Sequence, residues 1–432
     1  METTPETPRS LDLLVTGAAS VVTPSGAAAR GGQALGEVQV LENVAVAVHD
    51  GTIVAVGPEA ELRAGARIER ELDANGGTVV PGFVDAHTHP VFAGTREGEF
   101  ELRTRGASYV EIAQAGGGIL SSVRGVREAS SEVLLAQLLM RLDRFLELGT
   151  TTVEAKTGYG LTPDDERKCL EVLAAASRQH PVELVPTFLG AHDVPPEFRS
   201  DRQAYVDLLV EEMLPEVAAG GLAEFCDIFT EAHVFGLDDS RRILTRAKDL
   251  GLALRLHVDQ LTPLGGAELA AELGAMSADH LEHVSDAGID ALGAAGVIPV
   301  LCPLVPLFLR ETQEVPARRM VERGLAPALA TDFNPGSCYT QSMPEVLTWA
   351  ALRLRLSAEE CLTAATLNAA ASVGRAERIG SIEPGKQADL LVLDLPNHVH
   401  LAYEFGRNPV RAVVKHGAVV LERDVFDRSA SR

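Results

Sequence analysis

The sequence is short of the residues that staple a chain, span a membrane or grip nucleic acid. Its five cysteines are odd in number and contain no CxxC pair, which argues against a disulfide framework and a thiolate zinc site. No apolar run approaches the ~20 residues a membrane span needs. The start, METTPETPRS, lacks a basic region followed by an apolar one, so no signal peptide is read and a cytoplasmic protein is expected. Basic residues number 38 against 61 acidic ones, and the formal charge of −23 excludes nucleic acid as the expected partner. In that field an anionic small-molecule substrate needs a local arginine.

What remains is a globular chain of 432 residues, 46% hydrophobic, long enough for one large domain and a smaller one. Both ends share a texture of short β-branched segments: LDLLVTGAASVV and VAVAVHDGTIVAVGP near the start, QADLLVLDL and NPVRAVVKHGAVVLE near the end. Asp50-Gly51 between two such segments marks a hairpin turn. The expectation is a small β-sandwich domain built from residues 1–78 and 379–432, flanking a central domain at 79–378. The stretch at 24–36, PSGAAARGGQALG, and the first ten residues read as flexible.

The middle alternates short apolar runs with helical patterns. Thr162 is placed as an N-cap before Pro163, and Ser357 with Glu360 has capping-box spacing. Eight strand candidates follow one another: GFVDAHTH, TTVEAKTG, LVPTFLGAH, CDIFTEAH, LALRLHVD, MSADHLEH, VIPVLCP and PALATDFN. This predicts an α/β fold, a (β/α)8 TIM-like barrel. Polar residues gather at the C-terminal ends of these strands: His87, His89, Glu154, Lys156, His192, Glu231, His233, His257, His280 and Asp332. That rim is where such a barrel builds its active site. Structural residues would scatter between both ends.

His87 and His89 share one face of a strand, because side chains alternate. With His257 and Asp332 they offer three imidazoles and a carboxylate, a donor set for one zinc or iron ion with a position left for water. Each residue alone reads as a buried histidine or a turn aspartate. Four together at matching strand ends read as a metal centre.

The HxH on the first strand, the histidines ending strands five and six, the aspartate ending strand eight and the trailing GSIEPGKQADLLVLD resemble the amidohydrolase superfamily. Within it HTHPVFAGTR, EFELRTRGASYVEI, EAKTGYGL, TFLGAHDVPPE, HVDQ and TDFNPGS are similar to members that open an imidazolone ring in histidine degradation. The resemblance implies metal-assisted hydrolysis of 4-imidazolone-5-propanoate to N-formimidoyl-L-glutamate. It also implies one metal ion per subunit, divalent or trivalent, since CDIFTEAH has no bridging lysine, and a homodimer. Lys156 is then expected as a rim ion-pair partner of Glu154.

For that substrate the resemblance implies a role for each matching residue. Arg96 clamps the propionate with its two-pronged guanidinium. Tyr159 and His192 hydrogen-bond the substrate, and Asn334, Gly336 and Ser337 grip a ring atom or carboxylate oxygen. His280 stabilises the oxyanion, with His283 as a competitor for that place; in an extended strand His280 faces the same way as Glu282, and His283 lies on the opposite face or in the loop. Asp332 is the first choice for the proton shuttle. Gln260 stands where some relatives carry a glutamate base, so it is expected to orient the ring. The alternative is another cyclic amidase or a deaminase of a small heterocycle, and that departure counts against the deaminase. A barrel that had lost its chemistry should have lost metal ligands, and all four are present.

Overall fold

The computed structural model describes residues 10–107, 111 and 117–423. Residues 1–9 therefore lie outside the described residues, as do Ser108, Tyr109, Val110 and Ile112 of the string EFELRTRGASYVEI.

Asp50 and Gly51 take φ of 47° and 69°, the left-handed pair that a two-residue hairpin requires. They join β4 (Ala45–His49) to β5 (Thr52–Gly57), and β1 (Ser10–Thr16) and β6 (Arg67–Asp73) complete a four-stranded sheet of order β5-β4-β1-β6. A second sheet takes strands from both ends of the chain. It contains β2 (Ser20–Thr23), β3 (Gln39–Leu41), β7 (Thr78–Pro81), β16 (Leu390–Leu393), β17 (Val410–Lys415) and β18 (Ala418–Glu422), in the order β18-β17-β16-β7-β2-β3. Leu13, Val46 and Ile53 of the first sheet share one apolar cluster with Val79, Leu390 and Val414 of the second, which makes a sandwich.

The chain enters the barrel one residue after β7. Its strands are β8 (Phe83–Thr88), β9 (Thr150–Lys156), β10 (Glu183–Ala191), β11 (Phe225–Thr230), β12 (Ala253–Val258), β13 (Ser277–His280), β14 (Ile298–Leu301) and β15 (Ala328–Leu329). All are parallel and lie in chain order. Backbone bonds bring the eighth strand's extension to the first: Asp332 N donates to the His87 carbonyl at 3.0 Å, and His89 N to that of Phe333 at 2.9 Å. Both predicted helix starts form. Thr162 caps Pro163–Ser177 through Asp165 N, and Ser357 and Glu360 make the reciprocal box before Ala358–Thr363. Among the described residues no helix is long and apolar enough to cross a membrane.

The expectation of a flexible 24–36 segment is overturned. Asn368 holds Arg30 at both backbone groups, accepting from its N–H at 2.7 Å and donating to its carbonyl at 3.0 Å. The Lys386 ammonium donates to the Gly26 carbonyl at 2.6 Å, and Gly32 N donates to that of Leu325 at 3.2 Å. Leu35 is buried in the barrel's apolar cluster. Composition misled here because the partners come from the far end of the chain.

Candidate active site

Strand alternation aims Asp85, His87 and His89 inward from β8 and its end, Glu154 and Lys156 from β9, Asp227 from β11, Arg255 and His257 from β12, and Asp279 from β13. All these side chains are buried, and the charged ones form a network beneath the histidines. The Lys156 ammonium lies 2.9 Å from Glu154, 2.7 Å from Asp227 and 3.8 Å from Asp279. The Arg255 guanidinium lies 3.0 Å from Asp279. Lys156 thus pairs with Glu154 as expected but not at the rim: both are fully buried below it. Burial opposes the Lys156 charge, yet Asp227 and Glu154 hold its ammonium above the usual range.

This layer orients the imidazoles. His87 Nδ1 lies 2.6 Å from Asp279 Oδ2, and His257 Nδ1 lies 2.9 Å from Asp227 Oδ2, so each ring turns Nε2 toward the mouth. There His257 Nε2 is 3.3 Å from His89 Nε2. Asp332 Oδ1 stands 3.4 Å from His89 Nε2 and 3.7 Å from His87 Nε2. His87 Nε2 and Asp332 Oδ1 are buried and make no hydrogen bond among the described residues. Orphaned donors and acceptors turned to one point fit a metal ion, which would satisfy them together. His280 also brings a ring nitrogen within 4.8 Å of those of His87 and His257. Burial holds His87, His89 and His280 well below the ordinary imidazole range, the neutral form a ligand needs. It pushes the Asp332 carboxyl well up, a cost that a cation would reverse.

Above these atoms lies a cavity of about 500 Å³. His89, Arg96, Tyr159, His192, His257, Gln260, His280, Asp332, Asn334 and Ser337 line it. His192 donates from Nδ1 to the Gly158 carbonyl at 2.9 Å and stacks on His89 at 4.9 Å. Burial takes its imidazole down to about 3. Arg96 pairs with Glu99 through Nε at 2.9 Å and a terminal nitrogen at 2.7 Å, leaving its other edge toward Gly336. A Cβ at Gly336 would fall inside that guanidinium, so the glycine makes room for Arg96.

The 334–337 turn is already hydrogen-bonded within itself. Asn334 Oδ1 accepts from Gly336 N at 2.8 Å and Ser337 N at 2.7 Å, and its amide donates to the Asp332 carbonyl at 2.7 Å and Ser337 Oγ at 2.8 Å. These bonds use both backbone N–H groups that were expected to grip substrate. Turn chemistry explains them.

The strand ends at His280, so His283 falls in the loop, one of the two places expected for it, and alternation no longer relates His280 to Glu282. His280 and Leu281 have φ of 79° and 71°, and this left-handed pair brings Glu282 and His283 alike to the cavity wall. Glu282 and Arg103 are cavity residues that sequence reasoning missed. Burial pushes the Glu282 carboxyl up to about 8. Glu231 acts from the side: it accepts from Leu261 N at 2.8 Å and Thr262 N at 3.2 Å, fastening the loop that carries Gln260. His233 is exposed and outside the cavity. Asp227 and Asp279 were legible only as acids interrupting apolar strands.

Comparison with known proteins agrees with this geometry. The amidohydrolase family model matches residues 78–420, and a bacterial imidazolonepropionase-like composite domain matches residues 45–65. An imidazolonepropionase from Symbiobacterium thermophilum is 50% identical over 418 residues, covering 96% of this chain and 98% of its own. One from Geobacillus thermodenitrificans is 49% identical over 391 residues, covering 90% and 92%. Among solved structures, an adenosine deaminase from Xanthomonas campestris with bound zinc superposes with a TM-score of 0.72 at 25% identity, covering 98% of this chain and 96% of its own. Escherichia coli guanine deaminase shares the fold at 0.72 and 17% identity, covering 95% and 100%. The chain belongs to the amidohydrolase family and, within it, to the imidazolonepropionases.

Proposed function

We propose that this site hydrolyses 4-imidazolone-5-propanoate to N-formimidoyl-L-glutamate. Water adds to the ring carbonyl carbon, the ring C–N bond breaks, and the departing nitrogen takes a proton. The carrying observation is the convergence of His87, His89, His257 and Asp332 beside a cavity that holds Arg96. The donor set suits one zinc or iron ion, which supplies Lewis acidity and lowers the pKa of water.

The chain's own residues do the rest. Arg96 clamps the propionate, its Glu99 pair fixing the plane of the guanidinium. Tyr159 and His192 hold the ring from one side and Gln260 from the other. His280 offers a neutral N–H to the oxygen on which charge develops. Asp332 moves the proton from water to the ring nitrogen, a task that the Gln260 amide cannot perform. Asn334, Gly336 and Ser337 shape the wall beside Arg96 instead of binding through their N–H groups. The same reading carries a homodimer in the cytoplasm, which light scattering and cell fractionation measure.

An absorbance assay with freshly prepared imidazolone propionate, run with metal analysis, tests the proposal. Turnover should vanish on chelation and return with zinc or iron. Asp332→Asn should lower kcat by about 10²-fold or more. Ammonia release from a purine or pyrimidine, with the imidazolone untouched, would establish the deaminase alternative. Near-normal turnover by Asp332→Asn with metal bound, and no change in Gln260→Glu, would move the proton shuttle elsewhere.

A further inference from the structure

The loop that presents Tyr159 is built around a carboxylate that never reaches the cavity. Gly158, Gly160 and Leu161 all turn their backbone N–H groups onto Glu166. Oε1 accepts from Gly160 at 2.7 Å, Leu161 at 2.9 Å and Gly158 at 3.2 Å, and Oε2 accepts from Gly158 at 3.1 Å. Glu166 is 1% exposed and stands in the first turn of Pro163–Ser177, a helix fixed at its start by the Thr162 cap. From outside, Arg127 Nε donates to the Gly160 carbonyl at 2.8 Å.

The conformation thus held is one the chain would not adopt alone. Leu161 sits at φ 56° and Gly158 at φ 105°. A Cβ on Gly160 would stand 2.6 Å from the backbone of Asp165 and Glu166, so only glycine lets the loop lie this close to the helix. A left-handed leucine is unfavourable and persists where its surroundings over-determine it. The Glu166 carboxylate supplies that determination.

Two cavity residues depend on the result. Tyr159 lies between Gly158 and Gly160, whose N–H groups Glu166 holds. The Gly158 carbonyl is the acceptor for His192 Nδ1, which places the proton there and leaves His192 Nε2 as an acceptor. Their rings lie 5.2 Å apart, and the His89 ring is 6.0 Å from Tyr159.

We infer that Glu166 is a positioning residue for substrate binding: by gathering the N–H groups of Gly158, Gly160 and Leu161 it sets the Tyr159 ring and the His192 tautomer. The inference rests on the proposed function, because it takes Tyr159 and His192 as substrate contacts. It goes beyond that reading by giving a buried group with no access to substrate control over how the substrate is held.

The test is a double-mutant cycle with loop exchange measured alongside. Glu166→Gln keeps the shape but turns an amide N–H₂ toward N–H donors. It should lower kcat/KM at least tenfold, mainly through KM, with metal content unchanged, and amide exchange at Gly160 and Leu161 should accelerate. In a Tyr159→Phe background the same change should cost less than in the wild type, because only the His192 route is then left to lose. Wild-type kcat/KM in folded, metal-loaded Glu166→Gln would overturn the inference, as would an equal loss in both backgrounds. If Glu166→Gln does not fold, Gly160→Ala displaces the loop and leaves the carboxylate; it must show the same KM-weighted loss, and wild-type kinetics from it would sink the idea. If the wild type ignores imidazolone propionate, the substrate reading fails, while amide exchange still reports whether Glu166 orders the loop.

Discussion

The tight turns of the sandwich and those of the barrel rim are made from different residues. In the sandwich, Asn43, Asp50, Asn75 and His416 take positive φ, all residue types enriched in the left-handed region. At the rim the same region is occupied by Leu161, His280, Leu281 and Arg310, with Asp259 and Asp332. The sandwich selects side chains that suit the backbone. The rim keeps side chains that suit the site and forces the backbone to follow, with buried acceptors holding it: Glu166 for Leu161, and the Asp259 carbonyl for His283 N at 2.7 Å.

The comparison breaks first at the carboxylates that aim the ligands. Asp279→Ala removes the partner of His87 Nδ1 and should weaken metal binding by about 10- to 100-fold, read by competitive chelator titration. Asp73→Ala, which loses a turn bond to Asn75 N in the sandwich, should leave the affinity unchanged. A smaller effect, and on stability alone, is expected where the 30s strap crosses the barrel. Asn368→Ala leaves the Arg30 groups and the Pro327 carbonyl without their partner and should cost about 1–3 kcal/mol in urea unfolding, with kcat/KM of the folded enzyme unaltered.

Acid–base behaviour sharpens the contrast further. Burial raises the Glu282 carboxyl from its usual value to about 8 in the metal-free protein. Between the unfolded value of about 4.5 and 8 the folded state therefore holds a proton that the unfolded state has released. Stability of the metal-free form should fall as pH rises through that window, and Glu282→Gln should flatten the fall in thermal melts between pH 5 and 8.5. The smallest effect belongs to the turns themselves. Arg310→Gly relieves a left-handed non-glycine residue but loses the bond from its guanidinium to the Arg103 carbonyl, so stability should move by no more than about 1 kcal/mol, whereas Asn75→Gly should leave the melting temperature near its starting value.

Much of the fold was legible because its signals are local. Asp50-Gly51, the Thr162 cap and the Ser357–Glu360 box each act over four residues or fewer, and each forms. The eight barrel strands were legible from apolar runs ending in polar residues. Reasoning from alternation stopped where regular structure stopped: His280 and Leu281, both left-handed, end the parity that related His280 to Glu282. Composition failed for the 24–36 strap, whose order comes from Asn368 and Lys386, more than 330 positions away.

By itself the chain's order of residues determined the periodicities, the turns and caps, and the motifs that mark the family, since these depend on neighbours along the backbone. Only the closed barrel decided which imidazole nitrogen faces the mouth, that Lys156 sits beneath the histidines, that Asn334 is consumed by its own turn, and that Glu166 bonds the Tyr159 loop. Those outcomes depend on hydrogen bonds and charges meeting across space in a water-poor interior, where each buried polar group must find its partner wherever the fold brings one.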